Sequence, residues 1–327
     1  MIHTRLTDVL ECEHPVMLAG MGGVSYSELV AAVSDAGGFG TLGAAPMGLD
    51  RMKAEMADVR ARTDKPFGVD LLTALPGGME EQVDAIIAGG ASVFVAGLGV
   101  PRDVVDQCHR SGLLVVNMCG KVRHAVAAVE AGCDLVVAQG TEAGGHTGTV
   151  ATMPLVPQIV DAVGARVPVV AAGGIFVGRG LAAALALGAD GIWVGTRFIA
   201  TPEAHVVSGY REALVDGRED DTVITRAYTG KTLRAVRNAY TQHFEEHPDE
   251  LQPFPDQIGR SLGDGAMHLG ASPHTGGIDH DRECYAAGQG IGGIGDVVAA
   301  GELVRRLVEE AERELDRLGS LRSQVRR

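Results

Sequence analysis

Val169-Val-Ala-Ala-Gly-Gly-Ile175 is followed, one helix-length later, by Gly191-Ile-Trp-Val-Gly-Thr-Arg-Phe198. Each is a short apolar run that stops at glycine, and Gly178–Leu187 between them carries helical periodicity. A run fit for burial on both faces, then a helix, then another such run describes parallel strands joined by crossover helices. The same alternation reaches back to Pro15. Apolar runs lie at Pro15–Ala19, Phe39–Leu42, Phe67–Leu71, Ser92–Ala96, Leu113–Asn117 and Leu135–Ala138; Val167–Ala171 and Gly191–Val194 make them eight. Helix-like stretches separate them, among them Ser25–Ala36, Leu49–Arg62, Gly78–Ala88, Arg102–Arg110 and Lys121–Ala131. Several end at a glycine suited to closing a helix, such as Gly112 and Gly132. Eight units predict an α/β fold, a (β/α)8 TIM barrel. A doubly wound open sheet is the competing arrangement.

In a barrel of this kind the functional groups sit in loops at the carboxyl ends of the strands. The loops after the seventh and eighth strands commonly hold phosphate on bare backbone N–H groups. Gly173-Gly174 and Gly195-Thr196 occupy those two places, and Thr196 adds a hydroxyl. Ordinary turn glycines are the bland alternative. The sixth strand runs into Gln139-Gly-Thr-Glu-Ala-Gly-Gly-His146-Thr-Gly148. Glycines there let backbone approach a ligand closely, and a histidine exchanges a proton near neutral pH. His146 is therefore the candidate catalytic acid/base, against a solvated loop histidine as the plain reading. Glu142 could tune it or could be a loop carboxylate in water.

Other patterns carry less. Gly38–Gly43 and Gly290–Gly295 match the spacing of a dinucleotide-binding loop but lack its strand-in, helix-out context. His243, His247, His268, His274 and His280 invite a metal reading, yet no cysteine or carboxylate spacing completes a site, so no metal is expected. After Thr201-Pro202 the pattern becomes charged, His-rich and proline-interrupted. The predicted division is a barrel over 1–201 and 286–327, with a helical insert at 202–285 shaping the substrate pocket. A closing helix over about Val297–Leu318 carries an apolar stripe of Leu303, Val304, Leu307, Val308, Ala311, Leu315 and Leu318.

The chain has 327 residues, 46% hydrophobic and 21% charged, enough to bury a large core. Its net charge of −14 argues against nucleic acid and anionic membrane partners. No secretory signal is visible in Met1–Glu13, and no uninterrupted apolar stretch reaches the ~20 residues of a membrane span. Cys12, Cys108, Cys119, Cys133 and Cys284 are odd in number and widely spaced, which predicts a reduced, cytoplasmic protein. A homo-oligomer is left open.

With these residues in place, the chain resembles the nitronate monooxygenase family, formerly 2-nitropropane dioxygenases, which includes related NADH:quinone and enoyl-thioester reductases. The likeness rests on His14-Pro-Val-Met-Leu-Ala-Gly-Met21, Lys65-Pro-Phe-Gly-Val69, Glu142-Ala-Gly-Gly-His-Thr-Gly148, Ala171-Ala-Gly-Gly174 with Gly178-Arg-Gly180, and Gly195-Thr-Arg-Phe198. The resemblance implies non-covalent FMN. It implies that Gly20, Met21 and Gly22 line the flavin ring, with Gln139 and Gly145 near it. It places the phosphate on Gly173, Gly174, Gly195 and Thr196, has Gly288 and Gln289 closing over the ring, and matches His146 to the family's active-site histidine. Two positions depart from the pattern. Asp70 stands where the family usually has a flavin-contacting Asn, and Met118 where many members carry Lys. The activity implied is oxidation of an alkyl nitronate with O2. The alternative is NAD(P)H-dependent reduction of a quinone or enoyl-thioester, with NAD(P)H as co-substrate. A non-catalytic flavin-binding protein is the distant third.

Overall fold

A computed structural model describes residues 2–45, 47–73, 79–97, 99 and 101–324, with side chains to 321. The strands in chain order are β1 (Val16–Leu18), β2 (Gly40–Gly43), β3 (Phe67–Leu72), β4 (Val93–Gly97), β5 (Leu114–Cys119), β6 (Leu135–Gln139), β7 (Gly145–His146), β8 (Val169–Ala172), β9 (Gly191–Val194), β10 (Thr222–Thr225) and β11 (Leu233–Val236). Eight of them form one parallel sheet in the order β1-β9-β8-β6-β5-β4-β3-β2. A parallel bridge between Met17 and Phe39 joins β1 to the residue before β2 and closes the ring. The expected barrel is present, and the open sheet is excluded by that closure.

Side-chain alternation along each strand divides the apolar residues into two layers. Val95, Val116, Val137, Val170 and Trp193 point inward and pack with Met17 and Phe39 as the barrel interior. Their neighbours Phe94, Val115, Val136, Val169 and Ile192 point outward into the shell of helices. Leu6 and Leu10, from the helix Arg5–Leu10, join the interior cluster. That helix therefore plugs the amino-terminal mouth. Arg5 pins it there: Nε and Nη2 donate to the two oxygens of Asp190 at 2.9 and 2.8 Å, and Nη1 donates to the Gly164 carbonyl at 2.7 Å.

The closing helix, Ala300–Gln324, lies against the helix Gly178–Ala186. A Cβ on Gly178 would come within 2.4 Å of the Leu307 carbonyl oxygen, so a bare backbone is required at that crossing. Leu303, Val304, Leu307, Val308 and Ala311 are buried as the stripe predicts. Leu318 is not; it is 38% exposed. The last turns simply run past the surface they would cover. No helix among the described residues is long and apolar enough to cross a membrane.

The segment after residue 202 contains the helices Ser208–Val215, Ala239–Glu246 and Asp256–Gly263. It also contains the antiparallel hairpin β10–β11, which helical periodicity did not announce. The signal was the β-branched run Thr222-Val-Ile-Thr225, four residues long and bounded by charge. Its own core gathers Tyr228, Leu233, Ala235, Tyr240, Phe244 and Met267.

Candidate active site

The carboxyl-terminal mouth of the barrel holds a cavity of about 580 Å³. Its floor follows from the alternation just described. The inward positions nearest the strand ends are Asp70 on β3, Met118 on β5, Gln139 on β6, Ala172 on β8 and Trp193 on β9, and all line it. Gly20, Met21 and Gly22, from the loop after β1, form one wall. An ideal Cβ on Gly20 would lie 2.2 Å from the Asp70 Cβ, so only glycine lets that loop cross β3 at this point.

Beside that wall is the lip after β8 and β9. Gly173 and Gly174 have φ of +103° and +72°. The left-handed turn directs successive backbone N–H groups into a concavity suited to an anion. The N–H groups of Gly173, Gly174 and Gly195 have no acceptor among the described residues. Beside them the Thr196 hydroxyl oxygen accepts from Gly288 N–H at 3.0 Å, tying the returning loop to the lip.

The loop after β6 is held from three sides. Glu142 is used structurally: its carboxylate accepts the Thr152 N–H, at 2.9 Å to one oxygen, and the Thr152 hydroxyl, also at 2.9 Å. It thus caps the helix Thr152–Val163. The Gln139 amide donates from Nε2 to the His146 carbonyl at 2.7 Å. β7 then pairs antiparallel with β11, His146 opposite Leu233 and Gly145 opposite Arg234. The result is a three-stranded sheet, β10-β11-β7, that joins this barrel loop to the segment after residue 202. His146 Nε2 lies 2.9 Å from the Thr229 hydroxyl. Burial, and next the charge of Lys231, lower the His146 pKa from its ordinary value. The imidazole is consequently neutral at physiological pH.

Twelve of the thirteen residues singled out from sequence line this one cavity: His146, Gly20, Met21, Gly22, Asp70, Gln139, Gly145, Gly173, Gly174, Gly195, Thr196 and Gly288. Gln289 does not. Its side chain is exposed and its backbone N–H donates to the Glu142 carbonyl at 2.9 Å. Sequence reading did not find Thr229, Lys231 or Glu283, and it named His268 only among the histidines that invite a metal reading; His268 and Glu283 also border the cavity, with Nδ1 2.6 Å from the buried carboxylate. All four lie after residue 202, where no motif marks this grouping. His243 and His247 stack on each other at 4.7 Å at the protein surface, away from the cavity lining.

The Asp70 carboxyl has no hydrogen-bond partner among the described residues, and burial raises its pKa well above the ordinary value. The linkage sign follows. A raised folded-state value means a stabilising contribution present in acid and lost as pH rises through that value. Asp70→Asn should therefore gain stability over the parent as pH rises above the carboxylate range. Each kcal/mol relieved raises the melting temperature by about 2–4 °C. Melting curves from about pH 4 to pH 8 check it; a pH-independent difference would mean the carboxyl is not the cause.

Residues 3–87 and 73–310 match the family model described as nitronate monooxygenase. A probable nitronate monooxygenase of Staphylococcus saprophyticus is 33% identical over 302 residues, covering 78% of this chain and 84% of that protein. A (3aS,4S,5R,7aS)-5-hydroxy-7a-methyl-1-oxo-octahydro-1H-indene-4-carboxyl-CoA dehydrogenase of Mycobacterium tuberculosis is 39% identical over 245 residues, covering 75% and 69%. Among solved structures, FabK from Thermotoga maritima superimposes with a TM-score of 0.89 at 33% identity, covering 98% of this chain and all of that one. With the closed barrel and the glycine-lined mouth already described, these matches make the chain a member of the nitronate monooxygenase family of oxidoreductases.

Proposed function

We propose that the protein is an FMN-dependent nitronate monooxygenase, with His146 as its acid/base. One observation carries the assignment: a neutral, half-buried imidazole borders the same cavity as an unpaired row of backbone N–H groups. FMN fits that cavity. The free N–H groups of Gly173, Gly174 and Gly195 supply donors for a phosphate, and Gly20–Gly22 with Met118 and Trp193 supply a bare, largely apolar bed for a flat ring system. When bound, FMN supplies the electron transfer and oxygen chemistry.

The chain's own residues then do the rest. Gly173, Gly174 and Gly195 would hold the phosphate by their N–H groups. Apolar walls, including Val206, Val207 and Ile258, exclude water from the mouth. His146, held neutral by burial and by Lys231, keeps a lone pair. With it the imidazole accepts the α-proton of a neutral nitroalkane. A charged imidazolium could not act as that base. A reduced compartment such as the cytoplasm suits the five unpaired thiols, of which Cys108, Cys119 and Cys133 are buried.

The second reading is NAD(P)H-dependent reduction of an enoyl-thioester or quinone, with His146 donating the proton. The Mycobacterium tuberculosis relative, by its name, acts on a carboxyl-CoA. Anaerobic stopped-flow mixing separates the two. The expected result is rapid bleaching of the flavin by an alkyl nitronate and slow bleaching by NADH or NADPH. Rapid bleaching by a reduced nicotinamide, with none by nitronate, overturns the monooxygenase assignment.

A further inference from the structure

The two ring nitrogens of His146 have different surroundings. Nε2 is engaged with the Thr229 hydroxyl at 2.9 Å. Nδ1 has no partner among the described residues, and the residue borders the cavity. Thr229 is itself buried, at 8% exposure. Its oxygen accepts the Lys231 N–H at 3.3 Å, and its hydroxyl is within 3.2 Å of the Lys231 carbonyl. A hydroxyl has one proton and two lone pairs. If the proton goes to the Lys231 carbonyl, which has no other donor among the described residues, one lone pair serves the Lys231 N–H. The second lone pair faces His146 and requires a donor, so Nε2 carries the imidazole proton.

The Thr229 loop is braced for this task. Gly230, at φ +77°, lets it turn, and a Cβ there would lie 2.7 Å from the Phe254 nitrogen. Gly230 N–H donates to the Arg226 carbonyl at 2.9 Å, and Arg226 Nε returns a bond to the Gly230 carbonyl at 2.8 Å. β11 follows directly and pairs with β7, which fixes the loop against the histidine. We propose that Thr229 is a positioning residue that holds His146 in the Nε2–H tautomer, leaving Nδ1 as the atom that accepts the substrate proton. The proposal rests on His146 being the acid/base, and the tautomer itself is measurable without turnover.

Imidazole nitrogen chemical shifts of isotope-labelled, full-length protein at about pH 8 report the tautomer, above the ordinary histidine range. The His146 signals are assigned by their loss in His146→Gln. The expected spectrum shows a protonated Nε2 and an unprotonated Nδ1. Thr229→Val keeps the shape and deletes the hydroxyl. It should mix the tautomers and lower kcat with neutral nitroalkane by roughly tenfold, the size of one hydrogen bond, with KM little changed. Thr229→Ser should recover both signals, which separates the hydroxyl from any effect of misfolding. A protonated Nδ1 in the parent, or a Thr229→Val spectrum identical to the parent's, overturns the proposal. The expected spectrum together with full turnover in His146→Gln overturns instead the assignment of His146 as acid/base.

Discussion

His146→Ala should lose about 10²–10⁴-fold in turnover of a neutral nitroalkane, the range expected for a positioned acid/base. The loss should be far smaller with a preformed nitronate, because that substrate has already surrendered its α-proton. The contrast between the two substrates is the useful readout, since a folding defect would depress both. The backbone around His146 predicts that the variant keeps its shape: Gln139 binds the carbonyl rather than the ring, and the β7–β11 pairing uses main-chain groups. Alanine preserves all of these. The pH profile supplies a second check. The parent's base is active above the lowered His146 pKa, so its activity should persist below the pH at which an ordinary histidine is protonated. Steady-state rates across about pH 5–8 measure this. Equal activity of parent and variant on the neutral nitroalkane would remove His146 from the mechanism.

Gly173→Val should yield protein without bound flavin. Two separate penalties act at this position. The φ of +103° lies where a β-branched residue is strained by roughly 1–2 kcal/mol. The new Cβ would also sit 2.7 Å from the Thr152 hydroxyl oxygen and 3.0 Å from the Gly140 carbonyl oxygen. Neither neighbour can yield cheaply. Thr152 is held by Glu142, and the Gly140 oxygen belongs to the backbone that leads into the His146 loop. The turn must open, and its N–H groups then lose their common aim. Flavin absorbance per protein after gel filtration gives the answer, with circular dichroism as the folding control. Retained flavin at the parent's stoichiometry would place the phosphate elsewhere.

The difference between what the sequence disclosed and what it withheld is physical. β8 and β9 were legible because strands buried on both faces are unbroken apolar runs, and the glycines that end them serve a local turn. His146 was legible because its neighbours along the chain are the glycines that free it. Asp70 was singled out through the family pattern, and strand alternation in the barrel places it inward on β3. Thr229 could not be singled out. Its importance comes from a contact across 83 residues, and a threonine in a polar loop has no local pattern to distinguish it. Gln289 is the reverse case. It sits between two glycines that belong to the mouth, and its own side chain turns out to solvent.

The plug at the amino-terminal mouth bears on how the molecule comes into being. Arg5 finds Asp190 only across 185 residues, and β1 finds its partner only in β9. During synthesis, this segment thus leaves the ribosome well before the strand that satisfies it. Until residue 194 emerges, Leu6, Leu10 and Met17 have no finished ring to enter. A nascent chain in that interval exposes apolar surface of the kind that chaperones bind. The barrel is expected to close late and all at once, when the ninth strand meets the first.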